Sequence, residues 1–288
     1  MNSAEPKYTV AQIEARTGVR ANTLRQWERR YDVPRPARSD SGYRLYSDDD
    51  IAIIEFLKAS AAKGIAISRA AEMVRAGVKD PLRVDPEALR EGLVAALLEG
   101  QAARAERAWH EALVLTGPES AAAEVLAGAL REIGDRWHRG QASVAQEHFA
   151  TAFAHARLAA LIELAGNGIA GNLALATPAG EHHAVGLLIL EFFLRRAGYS
   201  TYALGANLPL GELRDYARGV DAGAVMLGVT SVSALESLAA HAPLRRFLGV
   251  RVILGGQALE TDPDRARKLG AEFLGNDPRE VVARLAAR

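Results

Sequence analysis

The chain has 288 residues, of which 49% are apolar, with 35 basic and 35 acidic side chains and no cysteine. That length leaves room for two or three domains, and the missing thiol excludes disulfides, thiolate metal sites and cysteine nucleophiles. The polar start MNSAEPKYTV, and no apolar run approaching the roughly 20 residues of a membrane span, set the expectation of a soluble cytoplasmic protein with no membrane partner.

The first region, residues 1–76, begins YTV-AQIEART, turns at Gly18, and continues as a helical pattern ANTLRQWERRY. Leu24, Trp27 and Tyr31 recur at i, i+3 and i+7 and predict the buried stripe of that helix. Asn22, Arg25, Gln26 and Arg29 fall on the opposite side. Arginine bridges guanine or phosphate, and asparagine or glutamine pairs with adenine. Two short helices around a glycine turn fit a helix-turn-helix. The stretch PRPARSDSGYRLYSDDDI then predicts a small β-wing turning at Ser41-Gly42 and carrying Arg38, Tyr43, Arg44 and Tyr46. Ser47 and Asp50 have capping-box spacing at the head of a helix IAIIEFLKASAAKG. The neutral total hides a local excess: residues 16–46 hold eight arginines against Glu28, Asp32 and Asp40, a difference of +5. Such an excess is the footprint of a phosphate-binding surface, or else a solvated face balanced by Asp48, Asp49 and Asp50.

Together YTVAQIEARTGV, LRQWERRY and PRPARSDSGYRLYSDDDI resemble the DNA-binding domain of MerR-type regulators along its whole length. The resemblance implies a winged helix-turn-helix that binds duplex operator DNA as a dimer. It places Arg25 and Arg29 in the major groove, with Tyr43 and Arg44 of the wing on phosphate. Metal-sensing members signal through cysteines, which this chain lacks.

The stretch 77–90, GVKDPLRVDPEALR, predicts a linker. Residues 86–165 are alanine- and leucine-rich with breaks near Gly100 and Thr116-Gly117-Pro118, predicting a bundle of about four helices. Within it Trp137 and His138 end one helix, while Glu147 and His148 open the next. By themselves these residues read as a core tryptophan with the others on solvated surface, since aromatics mostly serve packing. From 172 to 288 five strand-like runs, NLALAT, STYAL, AVMLGV, RVILGG and AEFLG, each precede a helical pattern. That alternation predicts a doubly wound five-stranded parallel sheet of flavodoxin-like type. Ligands of such sheets bind beyond the carboxyl ends of the strands. There lie Glu181-His182-His183, Thr230-Ser231 and Gly255-Gly256.

No G-x-G-x-x-G follows the first of these strands, which argues against a dinucleotide site. Glu181, His182 and His183 cannot all converge on zinc from consecutive turn positions. A metal bringing most of its own ligands, such as cobalt in a corrin ring, needs a single imidazole, oriented by a neighbouring carboxylate. Glu181-x-His183-x-x-Gly186, then Thr230-Ser231-Val232, then Gly255-Gly256, resembles the signature of cobalamin-binding domains. The usual pattern is Asp-x-His-x-x-Gly, then Ser-x-Leu or a relative, then Gly-Gly. Glu181 and Thr230 depart from it.

The resemblance implies His183 as the lower axial ligand of cobalt, displacing the cofactor's own base into a slot that Gly186, Gly255 and Gly256 leave open. Trp137-x9-Glu147-His148 is similar to the helical cap of the light-sensing, adenosylcobalamin-binding MerR-type repressors of the CarH type. That likeness implies that Trp137, Glu147 and His148 surround the adenosyl group. His138 is either an exposed helix-end residue or the upper cobalt ligand once the alkyl group has left. The function so implied is a repressor, not an enzyme. It binds operator DNA in darkness as a homodimer or homotetramer and releases it after photolysis. A light-independent cobalamin-binding repressor, a regulator with an unrelated ligand and a corrinoid methyl carrier stay open as alternatives. The N-terminal region argues against the last.

Overall fold

The computed structural model describes residues 6–39, 42–62, 67–75 and 85–287, and the chain divides into two compact units at Asp85/Pro86. In the first unit β1 (Tyr8–Thr9) leads into α1 (Val10–Thr17) and α2 (Ala21–Tyr31). Then come β2 (Ala37–Arg38), β3 (Arg44–Tyr46), α3 (Asp48–Ala62) and α4 (Ile67–Arg75). Thr9 and Gln12 form a reciprocal capping box on α1, and Gly18 ends it in the left-handed region at φ 70°. The Ser47–Asp50 box expected from spacing opens α3: Ser47 N donates to Asp50 Oδ2 at 2.9 Å, and Asp50 N to Ser47 Oγ at 3.1 Å. The strands form one antiparallel sheet in the order β1-β3-β2. Leu24 and Trp27 are buried as their spacing predicts, whereas Tyr31 is only half-buried. Ser41 of the expected wing turn lies outside the described residues.

The second unit opens with α5 (Pro86–Leu98), so the last residues of the expected linker are helical. Proline is tolerated in a first helical turn because its missing N–H has no partner there. Residues 77–84 of that linker lie outside the described residues. Then follow α6 (Ala102–Ser120), a π-helical segment Ala121–Leu126, α7 (Ala127–His138) and α8 (Val144–Ala165). Gly117 has φ 81° and ψ 162° and divides the run before Pro118, as the composition predicted. Ala102–His138 is apolar enough over a window to meet the length and composition of a membrane span, but Gly117 splits it and its apolar face lines the bundle core.

The chain continues as β4 (Asn172–Ala176), α9 (Val185–Arg196), β5 (Ser200–Ala203), α10 (Leu210–Gly219), β6 (Ala224–Gly228), α11 (Val232–Ala239) and α12 (Leu244–Leu248). It ends with β7 (Arg251–Gly255), α13 (Asp264–Lys268), β8 (Glu272–Phe273) and α14 (Pro278–Ala286). All five expected strands form, in one parallel sheet ordered β5-β4-β6-β7-β8. Helices cover both faces, which is why β4, β6 and β7 are continuous apolar runs rather than alternating ones.

The bundle core runs into α9: Ala150, Phe153, Ala154, Leu158 and Leu161 of α8 share one cluster with Ile189, Phe192 and Phe193. Ion pairs Arg196–Glu119 at 2.7 Å and Arg279–Glu124 at 2.5 Å also join sheet domain to bundle. α8 leads down to the start of β4, and α9 leads down to the start of β5, so the two packed helices run the same way. α8 has 22 residues and α9 has 12. At 1.5 Å per residue the ten-residue excess raises the start of α8 about 15 Å beyond the start of α9. The α7–α8 turn therefore overhangs the carboxyl end of the sheet.

Candidate functional site

The sheet reverses its winding between β4 and β6, and the loops after these two strands meet there. Glu181 is buried in the first loop, 1% exposed. One carboxylate oxygen accepts from the His183 backbone at 3.0 Å and from its Nδ1 at 2.7 Å. The other accepts from Thr230 N and Thr230 Oγ1, each at 2.8 Å, and from Ser231 N at 3.1 Å. Burial by itself pushes this carboxyl upward. The donations from His183 and Thr230 outweigh it and hold the pKa down at about 2. Glu181 is therefore ionised at any physiological pH, and a neutral imidazole bonded to it carries its proton on Nδ1. Its other nitrogen, Nε2, is left with a free lone pair on a ring whose side chain is 72% exposed. That is the tautomer a metal-ligating histidine needs.

His182 is exposed and makes no side-chain hydrogen bond among the described residues. Ser231 caps α11 through its hydroxyl, which accepts from Ala234 N at 3.1 Å. The glycines divide. A Cβ on Gly186, in the first turn of α9, would meet open space. One on Gly255 would meet only ordinary contacts from Gly275 and Asn276. One on Gly256, at φ 121°, would sit 2.2 Å from Val229 O. Gly256 thus serves the protein's own backbone, and Gly186 leaves a gap.

On the overhang, Trp137 is 39% exposed and stands edge-on to His138, ring centroids 4.6 Å apart. His138 Nδ1 meets Gly134 O at 2.8 Å, so its Nε2 is also free. The Glu147 carboxylate is oriented by His148 Nδ1 at 2.7 Å and Thr151 Oγ1 at 2.8 Å. The topology brings this group to the same end of the unit as His183. Among the described residues no hydrogen bond links the two.

In the first unit Asn22, Arg25, Gln26 and Arg29 are all exposed and make no side-chain hydrogen bond or ion pair among the described residues. Arg38 is exposed and reaches Gly42 O at 3.4 Å, and Tyr43 is 73% exposed. Arg44 is half-buried. Its Nε is taken by Glu28 of α2 at 2.8 Å, and Glu28 also accepts from Tyr46 Oη at 2.7 Å. Tyr46, on the same strand, is fully buried.

Three family descriptions match in chain order: a MerR HTH family regulatory protein over residues 8–77, a B12 binding domain over 89–162 and a second B12 binding domain over 171–283. The HTH-type transcriptional repressor CarH of Myxococcus xanthus is 35% identical over 222 residues, 73% of this chain and 74% of that protein. CarA of the same organism, also an HTH-type transcriptional repressor, is 33% identical over 94% of this chain and 93% of its own. The chain belongs to the CarH/CarA family of MerR-type repressors with B12-binding domains.

Like the rest of that family, it is a DNA-binding, cobalamin-binding transcriptional repressor rather than an enzyme. The monomethylamine corrinoid protein of Methanosarcina barkeri shares the fold of the second unit: TM-score 0.56, 16% identity, covering 70% of this chain and 99% of that one. The residues present suit a corrinoid. His183 offers a fixed Nε2, Gly186 leaves room beside it, and the α8 overhang stands above. Residue-type reasoning missed Thr177 and Asn207, which hold the Glu181 loop from behind. The only signal for them was their place after the first two strands of the sheet.

Proposed function

We propose that this repressor uses adenosylcobalamin as a chromophore, binds its operator in darkness as an oligomer and lets go after illumination. The reading is supported by the bond between His183 Nδ1 and the buried Glu181 carboxylate, with Trp137, Glu147 and His148 on the overhang at the same end of the unit. Adenosylcobalamin supplies a visible absorber whose weak cobalt–carbon bond light breaks.

The chain's own residues do the rest. His183 Nε2 would hold cobalt, and Glu181 fixes the ring that carries it. Gly186, Gly255 and Gly256, with Thr230 and Ser231 at the same sheet end, border the slot for the displaced base and its tail. Trp137, Glu147 and His148 touch the adenosyl group and so tie the α7–α8 turn to the loaded sheet. Without those contacts the overhang would be free to shift, and His138, whose Nδ1 is turned to Gly134 O, would offer its Nε2 to cobalt. If the same packing builds the homodimer or homotetramer, illumination separates the protomers. Paired DNA-binding units lose effective concentration, and affinity falls. Asn22, Arg25, Gln26 and Arg29 read the major groove, and Arg38 and Tyr43 of the wing meet phosphate. A protein of this function works in the cytoplasm.

The test is to load the full chain with adenosylcobalamin in darkness and measure size and operator affinity before and after green light. Dissociation and a drop in affinity support the reading. Binding that depends on cofactor but is unmoved by light leaves a light-independent cobalamin repressor in its place.

A further inference from the structure

The Glu181 loop is gripped at its backbone as well as at its carboxylate. The pairing of β4 with β5 continues past the strand ends: Thr177 N donates to Gly205 O at 3.0 Å and Leu208 N to Thr177 O at 3.0 Å. Thr177 is fully buried, and its hydroxyl donates to Glu181 O at 2.6 Å. Asn207 sits in the left-handed region at φ 58°. That conformation aims its backbone N–H at both Glu181 O, at 2.9 Å, and Thr177 Oγ1, at 3.0 Å. Its side-chain Oδ1 accepts from Gly180 N at 2.8 Å. Glu181 O is thus held by two donors, and the turn before it by a third bond, all from residues that make no hydrogen bond to His183.

We propose that Thr177 and Asn207 are positioning residues that set the height and direction of the His183 ring through the Glu181 backbone. The inference rests on His183 being the lower cobalt ligand. The carboxylate alone does not fix the ring. Its five donors sit on His183 and on the loop after β6, so these groups could drift together relative to the sheet. Anchoring Glu181 O to the β5 loop ties them to the strand on the other side of β4. Asparagine suits position 207 for two separate reasons: it tolerates the left-handed backbone, and it carries an acceptor short enough to reach Gly180.

The test uses the full chain and separates these roles. Asn207→Gly keeps the left-handed backbone but deletes the acceptor. Thr177→Val keeps the volume but deletes the hydroxyl. Each is expected to weaken affinity for adenosylcobalamin about three- to tenfold, the worth of one or two hydrogen bonds. Each should also lower the fraction of bound cofactor whose visible spectrum reports histidine on cobalt. In the cofactor-free chain, amide exchange should quicken over residues 178–184 while the melting temperature holds. Asn207→Asp and Thr177→Ser, which retain the oxygens, should restore the wild-type spectrum. His183→Ala is the control for the underlying reading, and it should abolish the histidine spectrum. If His183→Ala does so and the other two variants match wild type, the clamp is wrong while the ligand assignment stands. If His183→Ala changes nothing, the ligand assignment itself falls. A parallel loss of melting temperature and affinity, with no rescue, would make the pair merely structural and overturn the proposal.

Discussion

Glu181 Oε1 lies 2.7 Å from Nδ1 of His183, and the same carboxylate takes backbone donors from Thr230 and Ser231. One buried anion therefore both fixes the histidine tautomer and joins the loops on either side of the sheet's winding reversal.

Glu181→Gln preserves size but turns one oxygen into an amide donor facing N–H groups. Cobalamin affinity should fall on the order of 10- to 100-fold, the usual effect of removing a partner that orients a metal ligand. The cofactor-free sheet domain should also melt earlier, because Thr230 N or Ser231 N loses its acceptor. Glu181→Asp should bind nearly as well as wild type. Spectrophotometric titration measures the two affinities and a melting curve the stability, and a Glu181→Gln affinity equal to wild type would remove the carboxylate from any role in binding.

Gly186 and Gly256 should respond oppositely to alanine. At Gly186 the added methyl meets open space in a helix turn, so the cofactor-free protein should hold or gain about 0.5–1 kcal/mol. Its affinity for cobalamin should drop. At Gly256 the methyl would collide with Val229 O at a positive φ, so the fold itself should suffer by upwards of about 2 kcal/mol. Chemical denaturation beside cofactor titration distinguishes the two, and equal stability losses would count against the distinction.

Arg25 and Arg44 should also separate. Arg25 has no partner among the described residues, so Arg25→Ala should leave melting unchanged and weaken operator binding by about 1–3 kcal/mol. Arg44 is 32% exposed and bound to Glu28, so Arg44→Ala should loosen the wing from α2 and lower stability by up to about 1 kcal/mol. Operator titrations at several salt concentrations, paired with melting curves, check this. Unchanged operator binding by Arg25→Ala would take that residue out of the groove.

Tyr46 gives the N-terminal unit an alkaline weakness. Burial first, and then the Glu28 carboxylate beside it, push the phenol above its ordinary 10.0. A raised pKa in the folded state stabilises fully below the unfolded value, and that contribution is lost as pH rises past about 10. Urea midpoints of wild type and Tyr46→Phe should therefore converge or cross between about pH 8 and about pH 11, wild type falling faster. Parallel slopes would show that the phenol is not protected.

Local features carried much of this molecule in the sequence. Apolar runs marked the five strands, and the Ser47–Asp50 spacing marked a helix start. Each depends on backbone geometry over a few residues, which composition and periodicity encode directly. The contacts of Arg44 and Tyr46 with Glu28 carry no such mark, because that partner lies 16 and 18 residues away.

What only the tertiary structure decided is long-range. Thr230 and Ser231 reach Glu181 across 49 and 50 residues, and Asn207 reaches Gly180 across 27. The overhang of α8 exists because two packed helices of unequal length descend side by side to adjacent strands. None of this has a local signature. It follows from strand order and register, which fix which loop ends meet at the carboxyl edge of the sheet and so decide which polar groups can satisfy a buried charge.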